Sequence, residues 1–240
     1  MPGLLLRLKQ WWDYWRTLVL LLVAMLLFRS AIADWNQVPT PSMLPTILPG
    51  DRVVVNKLAY HLRLPFTNIH LLRWGHPKRG EIVTFESPAD GKLLIKRVIG
   101  EPGDTVIMRA NQLFINNKPA VYRYLPEEIT SQLSGREQRD YRFFSEQLNS
   151  DATSSTEHAV SHAVMLLPSL PNEKNSFGPI TVPKDHYLML GDNRDNSSDS
   201  RRIGFISRDL ISGRAHTVAF SVDYEDYYLP RESRFLLTLD

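Results

Sequence analysis

The 240-residue chain has no cysteine, which removes disulfides, a cysteine nucleophile and thiolate-bound zinc together. Charge of one sign is scarce as well. There are 28 Lys and Arg residues against 26 Asp and Glu, a net charge of +2, too mild for a nucleic-acid partner, and no aromatic-basic patch of the RNA-binding kind is present. Metal signatures are missing too. His61, His70 and His76 lie in a loop-like stretch without ligand spacing. His158 and His162 stand four apart but lack the H-E-x-x-H order and a third ligand. The acidic loop at 191–201 has Arg194 two residues after Asp192 and no central glycine, a poor fit to calcium. No metal and no cofactor are expected.

A long uninterrupted apolar run is also lacking. Residues 18–28 are apolar throughout, but that is 11 residues, and a spanning helix needs roughly 20. Extended over 17–33, with Arg29 snorkelling at the far end, the stretch makes a short membrane anchor. Trp11, Trp12, Tyr14 and Trp15 cluster before it, as aromatic residues do at an interface. The competing reading is a cleavable secretory signal, whose cut site Ala31-x-Ala33 resembles. The long aromatic flank and the intervening Arg29 favour an uncleaved anchor. Arg7, Lys9 and Arg16 precede it, which keeps residues 1–16 cytoplasmic and exports the rest to the outer face of the inner membrane.

Residues 38–51 read VPTPSMLPTILPGD. Pro39, Pro41, Pro45 and Pro49 exclude an α-helix, and each pushes its predecessor towards an extended backbone. Ser42 is thus expected in a stiff, extended segment, with the Thr40 hydroxyl on the same side two residues earlier. A serine hydroxyl needs a base, a fixed position and donors for an oxyanion before it attacks anything. No G-x-S-x-G elbow surrounds Ser42, and Pro45 stands where a Ser-x-x-Lys motif would have its lysine. None of the seven histidines sits in a recognisable catalytic context. Taken alone, the stretch is equally an edge strand or a linker.

Residues 93–104 (LLIKRVIGEPGD) put Lys96 inside an apolar strand, with Leu94 and Val98 on its face and Ile95 and Ile99 on the other. On an edge strand such a lysine keeps its head in water. Held in apolar surroundings instead, it loses part of its affinity for a proton and becomes a general base. Further strands are expected over 51–58, 79–85, 187–190 and 211–222. The polar loop after residue 190 is explained by Asx-turns at Asp192, Asn193, Asp195 and Asn196, with Asp199 and Arg201 placed to pair. Residues 126–149 are charged and helix-prone, so 105–187 is expected to be an insertion between two parts of a β-domain, 34–104 and 188–240.

PSMLPTILPGD, RGEIVTF, IKRVIGEPGD and GDNRDNSSDSR, in that order behind an N-terminal anchor, resemble the motif boxes of bacterial type I signal peptidases. These are membrane-anchored Ser-Lys endopeptidases. The resemblance is thin over 105–187. It implies that Ser42 is the nucleophile, Lys96 the general base, Ser197 the hydroxyl that holds the lysine, and Asp199 with Arg201 the pair bracing it. Thr40 falls where much of the family has an oxyanion-hole serine, to be joined by the Ser42 N–H. Here the order is Thr-Pro-Ser, not the common Ser-Gly-Ser. Val38, Pro39, Met43, Ile47, Val53 and Ile95 would line shallow pockets selecting Ala-x-Ala before the cut. The fold implied is mainly β: a twisted antiparallel catalytic domain with an inserted α+β cap. The partners implied are signal peptides of exported preproteins and a lipid bilayer. A non-catalytic membrane-anchored β-module, or a peptidase with a narrow substrate, are the rival readings.

Overall fold

In the computed structural model the described residues are 2–67, 69–125, 140–148, 160–167 and 175–239. Helix α1, Pro2–Ala31, leads the chain. No helix among the described residues is long and apolar enough to cross a membrane. Its end is tied down: Lys57 Nζ donates to the carbonyls of Arg29 (3.0 Å) and Ser30 (3.3 Å) and lies 3.2 Å from Asp34.

One antiparallel sheet follows. It is built from β1 (Ala33–Gln37), β2 (Asp51–Asn56), β5 (Ile82–Glu86), β6 (Leu93–Gly100), β14 (His186–Leu190), β15 (Ile206–Ser207), β16 (Ile211–Ser221) and β17 (Leu237–Thr238). The order is β1-β2-β16-β5-β6-β14-β15, with β17 on β16. Valine-rich β2 buries alternate residues, Val53 and Val55, as the period of two requires. β16 spans 11 residues and changes register against both β2 and β5. Such irregularities bend a strand, which lets β16 pair with three neighbours. Asp51 is buried at the start of β2 and held by Arg234, whose Nε and Nη2 lie 2.9 and 2.6 Å from its oxygens.

Two smaller sheets occupy 105–181. One has the order β13-β7-β8-β9, from Phe177–Thr181, Thr105–Arg109, Gln112–Ile115 and Lys118–Pro119. The other is β10-β11-β12, from Val121–Tyr124, Arg142–Leu148 and Val160–Leu166. Residues 142–148 belong to the block expected to be helical. They are a strand because both edges are paired, with β10 and β12, and because Phe143, Glu146 and Leu148 are buried on it. Tertiary pairing overrides composition there. The rest of that block, 126–139 and 149, lies outside the described residues, as does His158. The stretch 61–78, expected to be loop, contains a short hairpin of β3 (His61–Arg63) and β4 (His70–Arg73).

The apolar core lies in separate clusters. Ile99 and Leu188 of the main sheet pack with Val106, Met108 and Leu113 of the insertion. Val38, Met43, Ile47 and Val53 pack with Ile82 and Val218 in a second cluster. Met43, the neighbour of Ser42, belongs to the second cluster.

Candidate active site

Ser42 lies in a single 3-10 turn, Pro41–Met43, closed by Leu44 N donating to Pro41 O at 3.1 Å. The expected extended conformation stops at Thr40, with φ −117° and ψ 150°. Proline is pre-organised for the first position of a helical turn, since its ring fixes φ and its missing N–H would have no partner there. Pro41 therefore starts the turn that the four prolines were expected to forbid. The turn is positioned from outside as well: Asn193 N donates to Ser42 O (3.2 Å) and Asn193 Nδ2 to Pro41 O (3.2 Å).

Lys96 is in β6, an inner strand between β5 and β14, so the edge-strand explanation does not apply. The strand passes from exposed Leu93 to buried Lys96, 2% exposed. Its Nζ lies 2.6 Å from Ser42 Oγ and 2.8 Å from Ile95 O. Burial brings its pKa down to about 8, against the pull of the Asp199 and Asp192 charges, which favour the ammonium. A substantial share of the amine is then neutral just above neutral pH. Thr40 Oγ1 is 3.4 Å from Ser42 Oγ.

The loop after β14 touches Ser42 through Asn193 and carries the Asp192 and Asp199 charges that act on Lys96. Asp199 caps the short helix α2, Ser200–Ile203, and takes Arg201 fork-on, with Nε at 2.8 Å and Nη2 at 2.7 Å. Burial alone would raise the Asp199 pKa, but the hydrogen bonds and charge of Arg201 hold it below the usual carboxylate range. Ser197 Oγ is buried and makes no hydrogen bond of normal geometry, though it is close enough to help hold the Asp199 carboxylate ionised. The structure does not bring it into a hydrogen bond with Lys96. Gly191 explains the crowding: a Cβ there would fall 2.3 Å from Ser197 Oγ and 2.4 Å from Ser42 O.

A mostly apolar cavity of about 200 Å³ opens beside Lys96, between residues 36–40 and residues 92–96. Val38, Pro39, Thr40 and Ile95 line it. Met43, Ile47 and Val53 do not: each is fully buried in the cluster beneath, where it supports Val38.

The sequence matches the family model "Signal peptidase, peptidase S26" over residues 11–220. This chain belongs to that family. It is 32% identical over 221 residues to signal peptidase I of Pseudomonas fluorescens, covering 87% of this chain and 72% of the relative. It is 31% identical to the Buchnera aphidicola signal peptidase I (87% and 74%) and 30% identical to that of Aquifex aeolicus (85% and 82%). The chain is an S26 serine peptidase, a hydrolase, and its relatives support signal-peptide cleavage as its activity.

Several residues around this candidate site escaped the sequence. Arg97, next to Lys96 and fully buried, holds Asp192 through Nε (2.9 Å) and Nη2 (2.8 Å) and the Gly80 carbonyl through Nη1 (2.7 Å). Thr46 Oγ1 donates to the same Asp192 at 2.5 Å. An arginine inside an apolar strand was the available signal, since a buried guanidinium requires a carboxylate. Arg194, Glu146 and His162 gave none, being joined only by the fold.

Proposed function

We propose that this chain is a membrane-anchored signal peptidase I that removes N-terminal signal peptides from exported preproteins, cutting after small residues of the Ala-x-Ala type. The observation that carries the reading is the 2.6 Å approach of a buried Lys96 amine to Ser42 Oγ. Neutral Lys96 takes the Ser42 proton as Oγ attacks the scissile carbonyl. The proton passes to the leaving amide nitrogen, which leaves an acyl-enzyme on Ser42. A water, deprotonated by the same lysine, opens that ester. The Ser42 N–H and the Thr40 hydroxyl stabilise the oxyanion. Asp199 and Arg201 brace the loop beside the dyad, and Ser197 supplies a further hydroxyl in that loop. The lining of Val38, Pro39 and Ile95 favours small side chains, and a bound apolar peptide dries the amine further.

Helix α1 anchors the enzyme at the bilayer. Its aromatic residues Trp11, Trp12 and Trp15 are exposed, as are the described residues of its apolar stretch up to Met25 and Leu26. The basic residues preceding that stretch keep residues 1–16 cytoplasmic and place the catalytic domain outside. Ser42 follows the helix by about ten residues, so cleavage occurs near the membrane surface. The test is cleavage of several unrelated preproteins by the purified protein and by Ser42→Ala. Processing of all of them by the wild type alone supports a general signal peptidase. Processing by Ser42→Ala as well would defeat the assignment, and processing of a single substrate would narrow it. Protease added to spheroplasts should digest the domain and spare the N-terminal tail; full protection of a tag after residue 240 would reverse the orientation.

A further inference from the structure

Strand β12 of the insertion does not stop at its own sheet. Met165 N donates to Asp192 O (2.9 Å) and Met165 O accepts from Arg194 N (3.1 Å), forming a parallel bridge with Asn193. Asn193 N in turn donates to the carbonyl of Ser42. The side chains repeat the connection. Fully buried Arg194 clamps Glu146 of β11, with Nη1 to Oε1 at 2.7 Å and Nη2 to Oε2. The Arg194 carbonyl accepts from Arg201 Nη2 (2.6 Å), and Arg201 grips Asp199. Around Glu146 stand the Tyr122 hydroxyl, which donates to Oε1, and His162, whose Nε2 lies 3.1 Å from Oε2 and 4.0 Å from Asp192 Oδ1. Burial and the charge of Arg97 lower the pKa of that ring, against the pull of Glu146 and Asp192. The buried ion pairs match one to one, Arg97 with Asp192 and Arg194 with Glu146.

We propose that Glu146 is a positioning residue for the peptidase reaction: through Arg194 it sets the 191–201 loop against Ser42, which makes the inserted unit a working part of the active site. The proposal rests on the Ser42–Lys96 reading above. Burying a charge pair is weak evidence for stability, since an apolar pair of the same volume is often as stable. What the pair provides here is a fixed geometry for a loop that has little regular structure of its own. Glu146 touches no reacting atom, and the cavity beside Lys96 is built from other residues. Its loss should therefore act on turnover and leave substrate binding nearly intact.

The test compares Glu146→Gln, Arg194→Gln and the double variant in kcat, KM and the pH dependence of kcat, with thermal melts to count folded enzyme. The expected result for folded Glu146→Gln is a kcat lower by about 10- to 100-fold, the cost of sub-ångström to 1 Å misplacement. KM should stay within about threefold. The Lys96-dependent limb should move to higher pH as the loosened loop admits water. The double variant should lose no more than the worse single one, because the two groups act as a unit. If Glu146→Gln fails to fold, the double variant, which leaves no buried charge unpaired, carries the test with the same expected kcat loss. A folded variant with kcat within twofold of wild type and an unmoved limb would overturn the proposal. Lys96→Met, assayed alongside, separates the two readings. Activity in Lys96→Met would defeat the dyad, whereas an inactive Lys96→Met beside a fully active Glu146→Gln defeats only the role of Glu146.

Discussion

Gly191→Ala adds one carbon where the loop, Ser42 and Ser197 converge. The φ of Gly191 lies outside the left-handed region, so the substitution is opposed by contact and not by backbone conformation. The new Cβ would lie 2.3 Å from Ser197 Oγ, 2.7 Å from Ser197 Cβ and 2.4 Å from Ser42 O, whereas ordinary contact begins at 3.4 Å. Ser197 Oγ can rotate away for about 1 kcal/mol, but Ser197 Cβ, at 2.7 Å, moves only with the backbone. The Ser42 carbonyl is backbone, pinned by Asn193 N at 3.2 Å, and can only move with its turn, by about 1 Å. Overpacking of this size costs about 1–3 kcal/mol, within the stability of an ordinary domain, so the variant folds. A 1 Å shift at the nucleophile costs on the order of 100-fold in rate. Initial rates on an Ala-x-Ala peptide, with a melt to confirm folding, give the answer. Combining it with Ser197→Ala relieves only the Oγ clash, leaving Ser197 Cβ and the Ser42 carbonyl in contact, and should restore little. A folded Gly191→Ala with kcat within threefold of wild type would refute the claim that the loop sets the position of Ser42.

Thr40→Val keeps the shape and removes the hydroxyl; kcat should fall about 10²- to 10³-fold while Thr40→Ser stays active, and equal activity of both would remove Thr40 from the oxyanion site. Asp192→Asn leaves Arg97 buried without its counter-charge, which should cost about 3–5 kcal/mol and lower the melting temperature by roughly 10 °C; an unchanged melt would show that the pair is not structural. Acid should destabilise the fold in two stages. The His162 pKa is lowered in the fold, so its contribution is present above about 6.5 and declines as pH falls below that value. Asp192, Asp199 and Glu146 are held below the usual carboxylate range, and their contributions persist until pH falls below about 4. Denaturant melts across pH should lose the first stage in His162→Gln, and a flat profile from pH 7 to 4 would contradict this.

The local signals in the sequence concern residues whose chemistry is visible in a short window. Ser42 stands out through its prolines and Lys96 through its apolar strand, and the main strands follow from alternation and valine content. The fold adds pairings that no window contains. Glu146 and His162 face each other only because β11 and β12 pair, and Arg194 reaches them only because β12 bridges to the loop after β14. Nothing in the sequence therefore tied the inserted cap to the site. Asp192 read as an Asx-turn residue because its partner, Arg97, is 95 residues away. The depth of Met43, Ile47 and Val53 was equally hidden, since period and hydrophobicity do not separate a pocket wall from the core behind it. Pro41 was misjudged for a local reason: proline forbids the interior of a helix but starts a turn well.

The central claim is that Lys96 works as a neutral base, and the pH dependence of kcat for wild type and Lys96→Arg tests it most directly. Turnover of the wild type should rise with pH through an ionisation near 8, where burial places the Lys96 amine. Lys96→Arg keeps a positive charge that cannot be lost and should be folded and inactive at every pH. A folded Lys96→Arg turning over at near wild-type rates, or a wild-type limb above pH 10, would contradict the account.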